Sequence, residues 1–287
     1  MKIGIVGLGL IGGCLGLDFR AAGHQVVGLA RRLSTCEQAV AAQAVDVAST
    51  QIAVLSDCDV VFVCTPIATI VPMVAKLARV LPSSAVVTDV GSVKSAIVEA
   101  ATLQWPQFVG GHPMSGKSEA GIEAIERGLF QGNAYVITPV KTERVQTDPA
   151  AIARVEQLAQ LLGSRLYYCA PDEHDRAVSW ISHLPVMVSA SLIQSVMTEP
   201  DESVRQLAKK LASSGFRDTS RVGGGNPELG LMMAQYNRQE ILRSLKRYQQ
   251  EIALTIEQLT DEDWPAISQK LQETQGVRSQ FLRDSSP

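Results

Sequence analysis

The chain has 287 residues, 46% of them hydrophobic, and a formal net charge of −3, which describes a globular protein of one or two domains. The weakly negative charge excludes the basic surface that nucleic-acid binding requires. No apolar run is long enough to span a membrane, and the five cysteines contain no C-x-x-C pair. We therefore expect no membrane span, no metal site and a reducing, cytoplasmic setting.

The chain begins with a pattern typical of a strand, a glycine turn and a helix. Residues 2–6 are a short apolar run, and Gly7, Gly9 and Gly12 follow in the spacing G-x-G-x-x-G. Gly7 permits a tight turn, Gly9 lets a pyrophosphate approach the backbone, and Gly12 lets the helix pack on the strand. Free N–H groups at a helix N-terminus bind phosphate. The predicted dinucleotide site comprises Gly7, Leu8, Gly9, Ile11 and Gly12.

The second predicted strand, residues 25–29, is followed by Arg31 and Arg32 instead of an acidic residue. In NAD-binding proteins, an Asp or Glu at this point holds the ribose 2′-hydroxyl. Two guanidinium groups can instead bind a 2′-phosphate through paired hydrogen bonds. The sequence therefore predicts NADP as the cofactor; the alternative is that both arginines belong to a solvated basic turn.

Helical and strand patterns continue to alternate up to about Tyr168. An apolar run within residues 57–66 is typical of a parallel strand buried on both faces, and it ends at Thr65-Pro66. Because ligands bind beyond the carboxyl ends of strands in open α/β sheets, Thr65 and Pro66 are predicted to border the nicotinamide. The alternation predicts a doubly wound, Rossmann-type α/β domain over residues 1–169.

Strand patterns disappear after this point, and residues 170–287 are predicted to form an all-α domain. One helical pattern starts with Asn226 as N-cap and Pro227 at the first helical position, and it continues to Leu259. A helix of that length exceeds the usual range for a globular domain and favours a helix shared between subunits. We therefore predict a homodimer formed through the C-terminal helices; the alternative is a helix that spans only its own domain.

The reaction must come from polar residues outside the glycine turn, because a dinucleotide-binding domain identifies a cofactor but not a chemistry. His112 follows the apolar and glycine residues 108–111, so it lies at the end of a predicted strand. There it can accept the proton that leaves a hydroxyl as hydride is lost, or it can be a structural histidine. Ser92 can bond the same hydroxyl, or it can cap a helix beginning near Val93. His174 is predicted to be structural, at the start of a helix.

Three more candidates lie in the C-terminal half. His183 precedes Pro185, whose missing N–H kinks a helix and can turn the histidine toward a cavity. Arg217 and Arg221 are four residues apart, and a planar guanidinium suits a carboxylate substrate. The alternative for Arg217 is a surface ion pair with Asp218.

These residues resemble the prephenate and arogenate dehydrogenase family of tyrosine biosynthesis. The segments GLGLIGG, DVGSVK, GGHPM, PDEHD, SHLP and GFRDTSR occur in the family's order between Met1 and about Asn237. The resemblance implies oxidative decarboxylation of a cyclohexadienol, in which hydride passes from ring C4 to NADP, CO2 leaves and the ring becomes aromatic. It implies that His112 accepts the C4 hydroxyl proton and that Ser92 orients this hydroxyl.

The same resemblance concerns the substrate. It implies that His183 lines the substrate pocket and that Arg221 binds a substrate carboxylate, with Arg217 as the second candidate. Val186 stands where many members have a histidine that can hydrogen-bond the keto group of prephenate. We therefore expect arogenate, which carries an ammonium group, as the substrate and tyrosine as the product. The alternative is prephenate, which would give 4-hydroxyphenylpyruvate.

Two other functions are compatible with the glycine turn. A β-hydroxyacid-type dehydrogenase would use a lysine of the helical domain, for which Lys209 or Lys210 could serve, but the GGHPM and GFRDTSR segments argue against it. A non-catalytic NADP sensor that signals through its dimer would keep Arg31 and Arg32 without needing His112. It is disfavoured because so complete a polar set is costly to bury without use.

Overall fold

The structure is a computed structural model that describes residues 1–117, 119 and 121–281, so the predicted helical domain extends beyond the described range. The chain forms two compact units. The first contains Met1–Val178 and Gly225–Tyr236, and the second contains Ser179–Gly224 and the chain from Asn237 onward.

The first unit is built on a sheet with eight strands in the described residues. They are β1 (Lys2–Val6), β2 (Gln25–Leu29), β3 (Val47–Ser49), β4 (Val60–Val63), β5 (Val86–Asp89), β6 (Phe108–Pro113), β7 (Ala134–Thr138) and β8 (Arg165–Tyr168). Their order is β3-β2-β1-β4-β5-β6-β7-β8, and every pair is parallel except β6 and β7. The order reverses between β1 and β4, where open α/β sheets bind their ligands. The predicted doubly wound α/β domain is confirmed.

Helices account for the other regular structure. The α-helices of the described chain are α1 (Leu10–Ala21), α2 (Leu33–Ala41), α3 (Ile67–Leu77), α4 (Val98–Gln104), α5 (Pro149–Leu161), α6 (Pro171–Val178), α7 (Leu184–Met197), α8 (Glu202–Leu211), α9 (Ser214–Ser220), α10 (Pro227–Tyr236), α11 (Arg238–Thr260) and α12 (Trp264–Phe281). Helices α1 to α6 and α10 belong to the first unit. In the described residues after Tyr168 all regular structure is helical, as predicted.

The core of the first unit lies on both faces of the sheet. Successive side chains of a strand point to opposite faces, so a strand covered on both sides must be apolar throughout. In β4, Val60 and Phe62 pack into one apolar cluster, whereas Val61 and Val63 pack into another. This two-sided burial explains the continuous apolar run in the sequence.

The prediction of one continuous helix from Pro227 to Leu259 is wrong. The chain breaks at Asn237, which has φ −115° and ψ 30° and separates α10 from α11. Asparagine competes with helical hydrogen bonding through its own amide, and here the Asn237 side chain bonds His183 instead. The break also divides the pattern between the units, because α10 belongs to the first and α11 to the second.

One helical run, Pro171–Met197, is long and apolar enough by length and composition to cross a membrane. A single such helix is weak evidence, because core and interface helices of globular proteins have the same composition. That no membrane is involved stays a prediction.

Candidate active site

The turn after β1 excludes side chains at two of its glycines. Gly7 has a φ of +96°, and a Cβ there would lie 2.6 Å from the carbonyl oxygen of Cys64. A Cβ on Gly12 would lie 2.0 Å from the carbonyl oxygen of Gly7, so α1 can approach the turn only because residue 12 is glycine. At Gly9, by contrast, nothing lies within 4 Å of the Cβ position. The backbone here faces open space at the N-terminus of α1, which fits a pyrophosphate.

A cavity of about 850 Å³ opens beyond the carboxyl ends of β1, β2 and β4. This volume is typical of a site for a small molecule or cofactor. The cavity is lined by seven of the predicted cofactor-binding residues, namely Gly7, Leu8, Gly9, Arg31, Arg32, Thr65 and Pro66. The other two do not line it: Ile11 packs against the core, and Gly12 packs against the turn.

Cationic side chains dominate the charge of this cavity. Arg31 and Arg32 are joined there by Lys76 and Arg79, and among the described lining residues Glu123 is the only carboxylate. The resulting positive potential favours a ligand with several phosphates. No local sequence pattern indicated Lys76 and Arg79, because the packing of α3 beside the first strands brings them to the cavity.

His112 lies one residue before the end of β6, as the sequence pattern predicted, and is 8% exposed. Its Nδ1 lies 2.8 Å from Nε2 of His174, and the two rings meet edge to face. His174 lies in α6 and is 1% exposed. Nδ1 of His174 in turn lies 2.8 Å from Oδ1 of Asp175. The sequence placed His174 at a helix start, but it did not reveal the contact with His112.

The carboxylate of Asp175 is held by the loop after β5. The backbone N–H of Lys94 donates to Oδ1 and that of Ser95 donates to Oδ2, each over 2.8 Å. Burial acts to raise the pKa of Asp175, but the hydrogen bonds from His174 and the two amides outweigh burial and hold this pKa below its ordinary value. At neutral pH the carboxylate is therefore ionised and can only accept hydrogen bonds.

A buried ion pair connects the same loop to the strand that carries His112. Lys94 is fully buried and pairs with Asp89, and its Nζ also donates to the carbonyl oxygen of Gly111 over 2.7 Å. Asp89 also accepts the N–H groups of Gly91 and Gly111, over 2.8 and 3.2 Å. Burial lowers the pKa of Lys94, and the charge of Asp89 opposes that effect. The network fixes the loop beside the residue that precedes His112.

Ser92 lies in this loop. Its interpretation as a helix N-cap is wrong, because α4 begins at Val98 with Ile97 as the N-cap residue. The Ser92 Oγ atom is buried and has no hydrogen-bond partner among the described residues. A buried hydroxyl without a partner costs free energy, so this atom is suited to bond a ligand.

His183 is fully buried in the second unit. It ends a π-helical turn, Ser179–His183, and Pro185 follows in the first turn of α7. The irregularity predicted before Pro185 is therefore present, as a π-turn. Asn237 Nδ2 lies 3.0 Å from His183 Nδ1. Because an amide nitrogen only donates, Nδ1 accepts in this arrangement and Nε2 carries the ring proton.

The two arginine candidates also lie in the second unit. Arg217 in α9 is exposed and forms an ion pair with Asp218 over 3.1 Å, which is the alternative that the sequence had raised. Arg221 is exposed and begins a short 3-10 turn. That turn packs tightly on α7, since a Cβ on Gly223 would lie 2.4 Å from the backbone nitrogen of Ala190.

The candidate residues thus fall into two sets. The first unit contains the glycine turn, the cationic cavity, Ser92 and His112, which together provide a phosphate cradle, a buried hydroxyl and a titratable ring. The second unit contains His183, Arg217 and Arg221. A dinucleotide-binding site together with a buried base is typical of a dehydrogenase.

Two family models match the chain over nearly its whole length. Residues 15–168 match the nucleotide-binding domain of prephenate dehydrogenase, and residues 170–273 match the dimerization domain of prephenate dehydrogenase.

Individual relatives agree with these models. Prephenate dehydrogenase of Bacillus subtilis is 32% identical over 258 residues, covering 86% of this chain and 67% of its relative. The crystal structure of Synechocystis arogenate dehydrogenase has a TM-score of 0.86 and 49% identity and covers 98% of this chain and 100% of that one. Prephenate dehydrogenase from A. aeolicus, in complex with hydroxyphenyl propionate and NAD+, has a TM-score of 0.91 and 25% identity, with 98% of each chain covered. The chain therefore belongs to the prephenate and arogenate dehydrogenase family, the dehydrogenases of tyrosine biosynthesis.

Proposed function

We propose that this dehydrogenase converts arogenate to tyrosine by NADP-dependent oxidative decarboxylation. NADP supplies the acceptor for the hydride that leaves ring C4. The bond between the ring and its carboxylate breaks at the same time, so CO2 leaves and its electron pair replaces the pair lost with the hydride. The ring becomes aromatic and keeps its hydroxyl, which is the phenol of the product.

His112 is the proposed base at the C4 hydroxyl. It takes the hydroxyl proton as the C–H bond breaks, which raises the electron density at C4, and returns the proton to the phenolate oxygen. The Ser92 hydroxyl holds the same oxygen in place. One observation carries this proposal. His112 lies near the end of β6, and the buried Ser92 hydroxyl, which has no hydrogen-bond partner among the described residues, lies in the loop after the neighbouring strand β5. Both belong to the unit that contains the phosphate-binding turn.

His183 and Arg221 are proposed to act on the substrate instead of the hydroxyl. The Nε2–H of His183 can donate to a substrate oxygen, and Arg221 can bind a carboxylate through two parallel hydrogen bonds. Arg217 remains the second candidate, since its ion pair with exposed Asp218 is solvated and weak.

NADP is preferred to NAD in this proposal because four cationic side chains line the cavity at the carboxyl end of β2. A 2′-phosphate would be attracted to them, whereas a free ribose hydroxyl would gain little. The A. aeolicus relative was solved in complex with NAD+, so NAD is the alternative cofactor that a binding comparison must test.

Arogenate is supported by the 49% identity to the Synechocystis arogenate dehydrogenase and by Val186. Prephenate is the second candidate, because the B. subtilis relative bears that name. The test is to supply each substrate with NADP at matched concentration and to follow the near-ultraviolet absorbance of the reduced cofactor. Turnover of arogenate with little from prephenate supports the proposal, and the reverse overturns the choice of substrate.

The His112→Ala variant separates an enzyme from a cofactor sensor. We expect it to bind NADP as the wild type does and to lose turnover. The β-hydroxyacid alternative is disfavoured by the family match in both halves of the chain.

We also propose that the protein is a homodimer formed through its helical domain. Five large apolar side chains of α11 and α12 are 44–64% exposed in the isolated chain, namely Ile252, Ile256, Leu259, Trp264 and Leu271. Apolar surface of this extent is normally covered by a partner. The matching family model is described as a dimerization domain, which supports this assembly.

A further inference from the structure

We propose that His174 and Asp175 are positioning residues that fix the proton tautomer of His112, so that His112 Nε2 is unprotonated. The inference rests on the proposed function, in which His112 is the base. It assigns a role in the reaction to two side chains of α6.

Asp175 sets the direction of the first hydrogen bond, because an ionised carboxylate can only accept. It accepts the N–H groups of Lys94 and Ser95, and its Oδ1 also lies 2.8 Å from Nδ1 of His174. That ring nitrogen must therefore carry a proton and donate it. A donor position occupied by this carboxylate fixes the tautomer of His174.

The tautomer of His174 in turn fixes that of His112. A neutral imidazole with its proton on Nδ1 has a lone pair on Nε2, so His174 Nε2 accepts. The atom 2.8 Å from it is His112 Nδ1, which must therefore donate. His112 is then left with its lone pair on Nε2, the state that a base needs before it accepts a hydroxyl proton.

The series also stabilises the product of the proton transfer. When His112 becomes an imidazolium, its Nδ1–H is held by a neutral ring that is itself polarised by an anion. His112, His174 and Asp175 are 8%, 1% and 2% exposed, so water screens this interaction weakly.

The ammonium group of Lys94 and the thiol of Cys169 are other titratable groups near Asp175. Lys94 donates its backbone N–H to Asp175, but its ammonium group is paired with Asp89 and with the carbonyl oxygen of Gly111. Burial raises the pKa of the Cys169 thiol, and nearby carboxylates that include Asp175 raise it further. The thiol therefore stays neutral.

The test compares Asp175→Asn, His174→Gln and His174→Ala with the wild type, with Asp172→Asn as a matched control on an exposed position of the same helix. Asp175→Asn removes the anion, and its NH2 group must replace one of two oxygens that accept a backbone N–H. Where that NH2 group faces His174 Nδ1 it donates, which reverses both hydrogen bonds and places the proton on His112 Nε2. We expect kcat to fall by about 10²- to 10⁴-fold, with the KM for arogenate and the dissociation constant of NADP nearly unchanged, by analogy with the loss seen when a triad aspartate becomes asparagine.

The pH profile provides a readout that a purely structural role would not move. Loss of the anion disfavours the imidazolium of His112, so the acidic limb of kcat/KM should shift to lower pH in Asp175→Asn. His174→Gln keeps an oxygen that can accept from His112, so it should lose less activity than His174→Ala. Asp172→Asn should match the wild type in both measurements.

Two outcomes overturn the inference. In the first, folded Asp175→Asn and His174→Ala keep the wild-type kcat and pH profile while His112→Ala is inactive. His112 would then be the base, but His174 and Asp175 would not position it. Full activity of His112→Ala would instead remove the base itself. If a variant fails to fold, nitrogen-15 NMR of the wild type decides, because a proton on His112 Nε2 in the resting protein contradicts the proposed tautomer.

Discussion

At the end of β6, hydrogen bonds link residues that are far apart in the chain. His112 and His174 are separated by 62 positions, yet their ring nitrogens lie 2.8 Å apart. The sequence pattern could identify His112, because a histidine after an apolar run and two glycines is a local signal. It could not identify the contact with His174, because that depends on how α6 packs within the first unit.

One residue-scale prediction concerns stability and pH. The pKa of Asp175 in the folded protein lies below its ordinary value of 3.8, so ionised Asp175 stabilises the fold. This contribution is complete above the unfolded pKa and is lost as the pH falls through the folded pKa. From about pH 5 downward, the difference in free energy of unfolding between wild type and Asp175→Asn should therefore shrink as the pH falls. Urea titrations across this range measure it, and a difference that grows on acidification would contradict the prediction.

A second residue-scale prediction concerns the cofactor. Replacing both Arg31 and Arg32 with alanine should weaken NADP binding far more than NAD binding. A charge-assisted hydrogen bond is worth about 1.5–3 kcal/mol, so NADP affinity should fall on the order of 10²-fold or more. Calorimetric titration gives both dissociation constants. Arg144→Ala, at an exposed position outside the cavity, is the control, and equal losses for both nucleotides would refute the assignment.

At the scale of elements, the glycine turn joins β1 to α1 through two different requirements. Gly12 is needed for packing, since its Cβ would collide with the carbonyl oxygen of Gly7. Gly9 is surrounded by open space, so its role concerns a ligand instead of the protein. The G-x-G-x-x-G spacing predicts both glycines equally, and only the structure separates their roles.

This difference predicts that Gly12→Ala affects stability, whereas Gly9→Ala affects nucleotide binding. Gly12→Ala should lower the free energy of unfolding by about 1–3 kcal/mol, because the backbone cannot yield as a side chain does. Gly9→Ala should leave stability nearly unchanged and should weaken binding of NAD and NADP alike, because the methyl group occupies the space of the pyrophosphate. Thermal unfolding and calorimetric titration measure the two effects. A destabilised Gly9→Ala with normal affinity would contradict the interpretation.

At the scale of the whole molecule, the two matched family domains correspond to a nucleotide-binding half and a helical half. The helical half leaves large apolar side chains exposed in the isolated chain. Association of two copies would remove this surface from water and stabilise the fold by mass action.

Dimer formation is therefore expected to depend on α11. Ile256 is 59% exposed, so Ile256→Glu should cost little within one chain but would bury a charge in an interface between helices. Light scattering after size exclusion should give twice the chain mass for the wild type and a large monomer fraction for the variant. Gln160→Glu, on an exposed position of α5, is the control. A wild-type protein that is monomeric at all concentrations would contradict the proposal.

Features that depend on neighbouring residues could be predicted from the sequence. The apolar run of β4, the glycine turn and the irregularity before Pro185 are all local, because burial, backbone conformation and a missing N–H act within a few positions. For the same reason, His112 could be placed at the end of a strand. The order of the six segments from GLGLIGG to GFRDTSR indicated the family.

Contacts between groups that are distant in the chain could not be predicted in this way. The helix break at Asn237 accompanies a bond to His183, 54 positions away, and the cations Lys76 and Arg79 reach the cavity through the packing of α3. Asp175 is held by amides about 80 positions earlier in the chain. Such contacts are set by the free energy of packing whole elements against one another, a property that no local pattern of residues contains.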